Sequence, residues 1–355
     1  MCSNVSIVVD SSIYKSGRHS YDEPFFLILS TNLKRKAMKK RFTLPAILIA
    51  LLLISMSADA TKWRVNNTGV AADFTSLQAA HNGASAGDTI YLESSRVSYG
   101  SLICTKRLVI IGTGYFLDLN DSTQANVSAS FTNDLTFNSG SENSIIMGVT
   151  AINPVDCNAN QVLFKRCYIK DYNIYTNANN VVVTQCYLWN VSVASGNLTL
   201  TNSVLSYDGT GSYSLVMSGS TSGTICNNII CGGQVLNSAD YYNNISTGTG
   251  TAGTFAENYS SVYNNIGAAN QYIAYNDSNQ NNVPMNTVFV LSGSPNGKYK
   301  LIPGTSPALN WGHDGVDCGI FDGMYPYVLS GMPTVPAIWY LQVQGTNVSV
   351  KAKSH

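Results

Sequence analysis

Charged side chains of both signs lie close together in the segment between residues 156 and 171. A carboxylate in such a segment can act as a general base, and a Lys or Arg can hold an anionic group of a substrate. A solvated surface patch with an ion pair is the alternative interpretation. The catalytic candidates are therefore Asp156, Lys165, Arg166, Lys170 and Asp171.

Carboxylates further along the chain are sparse. Between residues 172 and 294 the acidic residues are Asp208, Asp240, Glu257 and Asp277, which lie 32, 17 and 20 residues apart. Most glycoside hydrolases use two carboxylates that face each other across the scissile bond, and this spacing does not predict such a pair. We predict no metal site and no cofactor; Ca²⁺ bound by amide and backbone oxygens is the alternative left open.

Polar and aromatic residues recur at one position of a repeat and are candidates for binding a substrate. The chain has 21 Tyr and only 11 Phe. Flat aromatic rings beside Asn, Gln and Thr suit a neutral sugar chain, which stacks and forms hydrogen bonds. Alternatively, Tyr occurs at these positions only because it is favoured in strands and its hydroxyl group can contact water. The substrate-binding candidates are Lys165, Thr184, Thr201, Tyr242 and Tyr263.

These candidates belong to a repeat of short β-branched and aromatic segments bounded by Asn, Gly, Ser and Asp. Each segment ends on a small or amide residue, and the spacings between these end residues are 19, 17, 25, 16 and 21. Repeated strands of this kind stack edge to edge and bury a continuous core. The end residues are Cys167, Cys186, Ser203, Asn228, Asn244 and Asn265.

The repeat predicts an all-β chain that folds as a right-handed parallel β-helix of roughly ten turns. Residues directly before each candidate, such as Phe164 and Tyr241, should point inward, and the candidates themselves should point outward. The Asn residues should sit at tight corners and bond to one another from turn to turn. A short helix over Phe74–His81, capped by Asp73, should cover the N-terminal edge of the stack. The sequence does not show the residue spacing that is typical of a leucine-rich repeat, of a β-sandwich or of a helical repeat.

The N-terminal region has the pattern of an export signal. Basic residues follow Met38, an apolar run extends from Leu44 to Ile54, and Ala58-Asp59-Ala60 is a small-x-small cleavage pattern. A single anchoring helix is the alternative, although the run is shorter than the roughly 20 residues that span a bilayer. We therefore expect residues 1–37 to be an upstream extension, 38–60 a signal peptide, 61–334 the β-helix and 335–355 a C-terminal strand or tail.

The number and distribution of charged residues limit the classes of partner that the chain can bind. Beyond residue 60 there are 12 Lys and Arg against 16 Asp and Glu, and none of the basic residues lies between Lys170 and Lys298. A nucleic-acid partner is therefore not expected, because binding phosphates requires Lys and Arg. Seven cysteines follow residue 60. We expect Cys167 and Cys186 to stack one turn apart without a disulfide, and several other cysteines to be small buried residues.

Several stretches resemble known proteins of one superfamily. Asp73–Ala80, Ala84–Leu92 and Leu108–Gly114 look like the capping helix and first strands of secreted bacterial β-helix proteins of the pectin-lyase-like superfamily. Tyr299–Gly319 is similar to their closing coil, and Phe321–Pro333 resembles a tail found in Bacteroidetes. The resemblance implies the β-helix fold and a polysaccharide partner. It also places the Gly-rich segment around His313, Asp314 and Asp317 in structural turns.

The family's enzymes carry motifs that are largely missing from this chain. Polygalacturonases have Asp-Asp and Gly-His-Gly motifs, whereas this sequence has no Asp-Asp, and its one Gly-His, Gly312-His313, lies beyond the repeat. We therefore expect a secreted or surface-exposed protein that binds a glycan or has a structural role. A polysaccharide lyase or glycoside hydrolase acting on the long face of the β-helix is the alternative.

Overall fold

Short β-branched segments stack on their copies one turn away, and the fold is a right-handed parallel β-helix, as predicted. It has about eight turns, where roughly ten were expected. The computed structural model describes residues 60–120, 130–207, 213–275, 278–332, 337–344 and 347–353. The expected extension and the expected signal peptide, apart from its last residue, lie outside the described residues. In the described ranges, no helix is long and apolar enough to cross a membrane.

Each turn of the β-helix has three faces, which we call faces 1, 2 and 3 in the order in which the chain forms them. Among the described residues, face 1 is a parallel sheet of ten strands. Its strands are β1 (Lys62–Val65), β2 (Thr89–Leu92), β4 (Val109–Ile111), β7 (Ile145–Met147), β10 (Leu163–Lys165), β12 (Val181–Thr184), β14 (Asn197–Thr201), β17 (Ser222–Cys226), β20 (Ala239–Tyr242) and β23 (Ser261–Tyr263).

Faces 2 and 3 are joined by two long strands that bend from one face to the other. The joining strands are β11 (Tyr168–Thr176) and β13 (Tyr187–Val193). Face 2 also has β5 (Ser130–Thr132), β8 (Val149–Ala151), β15 (Val204–Leu205), β18 (Ile229–Ile230), β21 (Ile245–Ser246) and β24 (Ile266–Gly267). Face 3 also has β3 (Leu102–Cys104), β6 (Leu135–Phe137), β9 (Val155–Cys157), β16 (Tyr213–Met217), β19 (Gly233–Asn237) and β22 (Phe255–Asn258).

Helices and a hairpin complete the described elements. The α-helices are α1 (Leu77–Gly83) and α2 (Met285–Val288), and short 3-10 turns span Gly250–Gly253, Gly297–Tyr299, His313–Gly315 and Leu329–Gly331. The expected C-terminal strand is instead an antiparallel hairpin of β25 (Ala337–Gln344) and β26 (Asn347–Lys353).

The inward residues of face 1 form the core, as the alternation predicts. Phe164, Val183, Leu200, Ile225 and Tyr241 are fully buried and belong to one continuous apolar cluster. Burying each large apolar side chain contributes roughly 1.5–3 kcal/mol. The strands are individually too short to be stable, so their stability comes from this shared core.

The corner between faces 1 and 2 is built from two residues with different roles. The first residue has a left-handed backbone, with φ between 46° and 58°, and its side chain points outward. The second residue points into the coil and is buried. The first residues are Arg166, Gln185, Asn202, Asn227, Asn243 and Asn264, and the second are the six end residues named above. The predicted left-handed turn therefore belongs to Asn243 and not, as expected, to Asn244.

The buried second residues form a hydrogen-bonded stack, which we call the inner ladder. The Oδ1 atom of Asn244 accepts hydrogen bonds from the backbone N and Nδ2 of Asn228, both at 3.0 Å. In the same way, Asn244 donates to Asn265 Oδ1 at 2.9 and 3.1 Å. Asn279 continues the ladder beyond Asn265, and Ser203 continues it below Asn228. The predicted contacts between turns are confirmed.

Two stacked cysteines extend the inner ladder towards the N-terminus. The backbone N of Cys167 donates to Cys186 Sγ at 3.4 Å, and Cys186 N donates to Ser203 Oγ at 3.0 Å. Both thiols are buried and free of disulfides. The expectation of stacked, unbridged cysteines at these positions is confirmed, and the thiols serve as small core groups.

The segment 311–332, which we call the strap, runs along the outside of face 2 against the direction of the coils. The first corner residues hold it by side-chain hydrogen bonds to its backbone. Asn264 binds Trp311 O at 2.9 Å, Asn202 binds Asp322 O at 2.7 Å, and Arg166 binds Met332 O at 2.7 Å. The strap thus spans the turns from β23 back to β10.

The strap also buries the outward apolar residues of face 2. Val204, Ile229 and Ile245 form a second apolar cluster with Cys318 and Ile320 of the strap. The resemblance placed this segment in a closing coil with tight turns. The expected tight turns are present, since His313–Gly315 is a 3-10 turn and Gly315, Gly319 and Gly323 have left-handed backbones. The expected closing coil is not, because the segment covers a side of the stack instead of adding a turn to it.

The first turns differ from the sequence-based expectation in three respects. Helix α1 is capped by Ser76, whose side chain accepts from Ala79 N at 3.3 Å. The predicted cap Asp73 instead accepts from Arg64 N at 2.7 Å. Strand β1, which was not predicted, precedes the helix. Val109 pairs directly with Ile145 on face 1, so the chain between them, which includes β5 on face 2, adds no strand to face 1. This pairing accounts for part of the difference between eight turns and ten.

Candidate functional site

The outward residues of face 1 form two parallel columns. The first column contains the sequence-predicted binding residues, each in register with the next one along the stack. Its members are Lys165, Thr184, Thr201, Cys226, Tyr242 and Tyr263. The second column lies two residues earlier in each strand and consists of Thr199, Thr224, Asp240 and Ser261. The face therefore presents hydroxyl, carboxylate and phenol groups at intervals of one turn.

The second column is not engaged by the rest of the described chain. The side chains of Thr199, Thr224, Asp240 and Ser261 take part in no hydrogen bond or ion pair among the described residues. Thr199 and Thr224 are half-buried, and Asp240 and Ser261 are exposed. Because a half-buried hydroxyl without a protein partner retains its bonding capacity, this column is available to a polar ligand.

The strap forms a wall beside these columns, which turns part of face 1 into a groove. The groove has a volume of about 300 Å³. Its floor includes Thr199, Thr201, Thr224, Cys226 and Tyr242. Its far side is formed by His313, Asp314, Val316, Gly323, Met324 and Tyr325 of the strap. Lys and Arg are absent from the residues that line it.

Aromatic rings meet at one end of the groove. The rings of Tyr242 and Tyr263 are parallel to within 8°, with centroids 5.1 Å apart, as stacking on adjacent turns allows. His313 meets both rings edge-on at 6.1 and 5.5 Å, and its Nδ1 lies 3.0 Å from Asp314 Oδ2. Burial raises the pKa of Tyr242 and of Tyr263, and the charge of Asp240 adds to both shifts. Both phenols therefore stay neutral donors at neutral pH.

Two of the predicted binding residues are less accessible than expected. Thr184 and Thr201, expected on the surface, are only 3% and 6% exposed. Thr201 Oγ1 donates to Thr184 Oγ1 at 2.9 Å, so the two hydroxyls satisfy each other. Their outward direction is as predicted, but the expectation of surface exposure is wrong. Tyr242, Tyr263 and Lys165 remain half-buried.

The charged catalytic candidates do not gather in one place. Lys165 lies in the first column of face 1, where burial, followed by the charge of Arg166, lowers its pKa. Arg166 is buried at the corner and holds both Gln185 and the strap. Lys170 and Asp171 are exposed at the bend of β11, and Asp156 lies on face 3 in register with Tyr175. Within the described residues, no ion pair joins any two of these five.

Sequence reasoning missed the contribution of the strap. His313 and Asp314 were interpreted as part of a structural turn, yet they line the groove beside Tyr242. Thr199 and Thr224 were also missed, although they lie two residues before a recognised position in the same strands. That spacing was the signal that could have identified them, because alternate residues of a strand share a face.

The described residues contain no group of three or more His, Cys, Asp and Glu side chains placed to hold a metal ion. No family model matches the chain, and no curated protein matches it.

Proposed function

We propose that this chain is an exported β-helix protein that binds a neutral glycan in the groove between face 1 and the strap. The observation that carries the proposal is the column of unengaged polar groups beside the stacked Tyr242 and Tyr263. The resemblance to secreted pectin-lyase-like proteins supports a polysaccharide as the ligand, without indicating its charge.

The chemistry of the groove suits sugar hydroxyls. Thr199 and Thr224 offer hydroxyls that both donate and accept, and Asp240 can accept two hydrogen bonds from neighbouring hydroxyls of one ring. The phenol of Tyr242 stays protonated and donates. Apolar ring surface beside a few placed polar groups is typical of sites for small polar ligands.

Charge favours a neutral over an acidic polymer. Asp314 lines the groove, Asp240 lies beside Thr224 in the second column, and no Lys or Arg lines the groove. A polyuronate brings a carboxylate on each ring, and these carboxylates would be repelled by both side chains. The groove therefore supports a ligand rich in hydroxyls and without charge.

Thr224→Val tests the groove by removing one hydroxyl with little change of shape. We expect calorimetric titration with cellohexaose, xylohexaose, mannohexaose and laminarihexaose to show binding of at least one of them. Loss of a neutral hydrogen bond costs about 0.5–1.5 kcal/mol, so its Kd should rise roughly three- to tenfold in Thr224→Val. Tyr242→Ala should raise the Kd for the same hexasaccharide by about tenfold or more.

Thr136→Val is the matched control, since Thr136 points outward on face 3, away from the groove. This variant should bind like the wild type. Unchanged affinity in both Thr224→Val and Tyr242→Ala would contradict the proposal. New reducing ends or unsaturated products in the same mixtures would show cleavage, and the alternative of a lyase or hydrolase would then replace binding alone.

Export is the second part of the proposal and rests on the basic, apolar and small-residue pattern of residues 38–60. Cleavage after Ala60 leaves Thr61 as the first residue. Thr61 N lies 2.8 Å from Asp88 Oδ1 in the first turn, where a new amino terminus would pair with the carboxylate. Mass spectrometry of protein from the culture medium should find Thr61 at the N-terminus; a chain beginning near Met1 would contradict export by this signal.

A further inference from the structure

A second concave surface lies on the outer side of face 2, near the C-terminal end of the stack. Cys231 directly follows β18 and Thr247 directly follows β21, and these two strands pair in register on adjacent turns. The segment 285–299, which begins with α2, packs on the same side, because Phe289 and Tyr299 belong to one apolar cluster with Cys231. Between the two parts lies a pocket of about 380 Å³, which we call the C-terminal pocket.

One part of the lining of this pocket is apolar. Met285, Phe289 and Leu291 form it, and we call these three side chains the apolar wall. Phe289 is buried, whereas 49% of Leu291 is exposed. A cavity of roughly 300–1,000 Å³ with apolar walls and a few polar groups is the usual form of a site for a small molecule.

Hydroxyl groups form another part of the lining. Thr247 is half-buried and Thr249 is exposed, and their side chains take part in no hydrogen bond among the described residues. The thiol of Cys231 and the hydroxyl of Tyr299 also line the pocket, but they lie 3.3 Å apart and bond to each other. The two threonine hydroxyls are therefore the groups that can donate to a ligand.

One cation lines the C-terminal pocket, and no carboxylate does. The cation is Lys298, whose Nζ lies 5.0 Å from the centroid of the Tyr299 ring. Attraction to the face of that ring holds the ammonium group beside the pocket. Among the described residues, Lys298 forms no ion pair. The pocket therefore has the opposite charge to the groove, which is lined by Asp314 and by no Lys or Arg.

We propose that the C-terminal pocket binds a small organic acid, with one carboxylate on an apolar body about the size of one ring. The carboxylate pairs with Lys298 and accepts hydrogen bonds from the hydroxyls of Thr247 and Thr249. The body of the acid packs on the apolar wall. This site is separate from the glycan groove and does not depend on it.

The lining of the pocket separates such an acid from other ligands. Phosphate groups are usually held by Arg side chains or by several backbone N–H groups, whereas this pocket offers a single Lys and no Arg. A neutral sugar would leave the ammonium of Lys298 without a partner and would place hydroxyls against the apolar wall. A single negative charge on an apolar body matches both parts of the lining.

Phenylacetate and its neutral amide, phenylacetamide, test the charge of the ligand, because they share one ring and differ in the carboxylate. Ligand-observed NMR titration of the purified protein should give a Kd for the acid about tenfold below that for the amide, since the pairing with Lys298 is charge-assisted. In Lys298→Met this preference should disappear. Lys300→Met is the matched control, because it removes the same charge from an exposed side chain that does not line the pocket.

Leu291→Ala tests the apolar wall with the same two probes. Its side chain is half-exposed, so the substitution should leave the fold intact while it raises the Kd of both the acid and the amide by roughly three- to tenfold. Val290→Ala is the control, because Val290 is 45% exposed and does not line the pocket. Both Kd values should be unchanged in this variant.

Thermal unfolding of each variant checks that the fold is intact, and if Lys298→Met does not fold, the comparison of Leu291→Ala with Val290→Ala decides. The proposal is overturned if phenylacetate shows no saturable binding up to about 10 mM, or if the wild type binds acid and amide equally. A preference for the acid that survives in Lys298→Met overturns it as well. Equal loss of the preference in Lys300→Met would assign the effect to the general charge of this region and would also overturn the pocket.

Discussion

Replacing Asn244 by Leu should lower the free energy of unfolding by roughly 2–6 kcal/mol, because two buried groups lose their partners at about 1–3 kcal/mol each. Asn228 N loses the acceptor Asn244 Oδ1, and Ile225 O loses the donor Asn244 Nδ2, which lies 2.8 Å away. Leu has the same number of side-chain heavy atoms as Asn and the same branch point, but it is bulkier and offers no hydrogen bond. Denaturant unfolding of the variant and the wild type measures the difference.

An exposed amide ladder on the same β-helix provides the control. Asn258 Nδ2 donates to Asn237 Oδ1 at 3.2 Å, and this pair is open to water. Asn258→Leu should therefore change the free energy of unfolding by no more than about 0.5 kcal/mol. Equal destabilisation by the two substitutions would mean that the inner ladder contributes no more than a surface contact.

Replacing Asn202, Asn227 and Asn243 together by Gly should detach the strap while the coils stay folded. Glycine adopts the left-handed backbone of these corners without strain, so only the side-chain contacts are lost. Those contacts include Asn202 Nδ2 to Ile320 O at 3.0 Å, Asn227 Nδ2 to Asp317 O at 3.2 Å and His313 N to Asn243 Oδ1 at 2.7 Å.

The contacts from Asn202 Nδ2 to Asp322 O and from Asn227 Nδ2 to Gly319 O are lost as well, so five hydrogen bonds to the strap are removed in total. At about 1 kcal/mol each, the free energy of local opening should fall by up to roughly 5 kcal/mol. Hydrogen exchange of residues 313–323 should accelerate by at least two orders of magnitude, while exchange in β12 and β14 stays slow.

Asn143→Gly is the control, because Asn143 is also left-handed, with φ of 62°, but holds no part of the strap. Hydrogen exchange of residues 313–323 in the Asn143→Gly variant should match that in the wild type. If the triple variant also matched the wild type, the apolar contacts of Cys318 and Ile320 alone would account for the position of the strap.

The repeat could be predicted from the sequence because it depends on local alternation. Phe164, Val183 and Leu200 alternate with outward residues within single strands, and their direction follows from the period of two. The stacking of Asn228, Asn244 and Asn265 follows from their spacing of about one turn. Each of these inferences needs only neighbouring residues and one repeat length.

The groove could not be predicted in the same way because its second wall comes from distant residues. Thr201 is buried in a region closed off by a segment more than a hundred residues later, and no period links the two. The two residues of each Asn-Asn pair also have different roles, which the sequence alone does not show. Asn243 and Asn244 look alike in sequence, yet one reaches outward to the strap and the other inward to the ladder, which depends on backbone conformation at the corner.

The strap also sets the order in which this chain can complete its structure. Coils contact mainly their neighbours, so they can stack as they emerge, N-terminal turns first. The strap cannot dock until the whole stack exists, since the hydroxyl of Tyr327 meets that of Tyr115, 212 residues earlier, at 2.5 Å. Contacts of such long range form slowly. Until then Val204, Ile229 and Ile245 face water, and a newly made chain passes through a period in which aggregation competes with its last folding step.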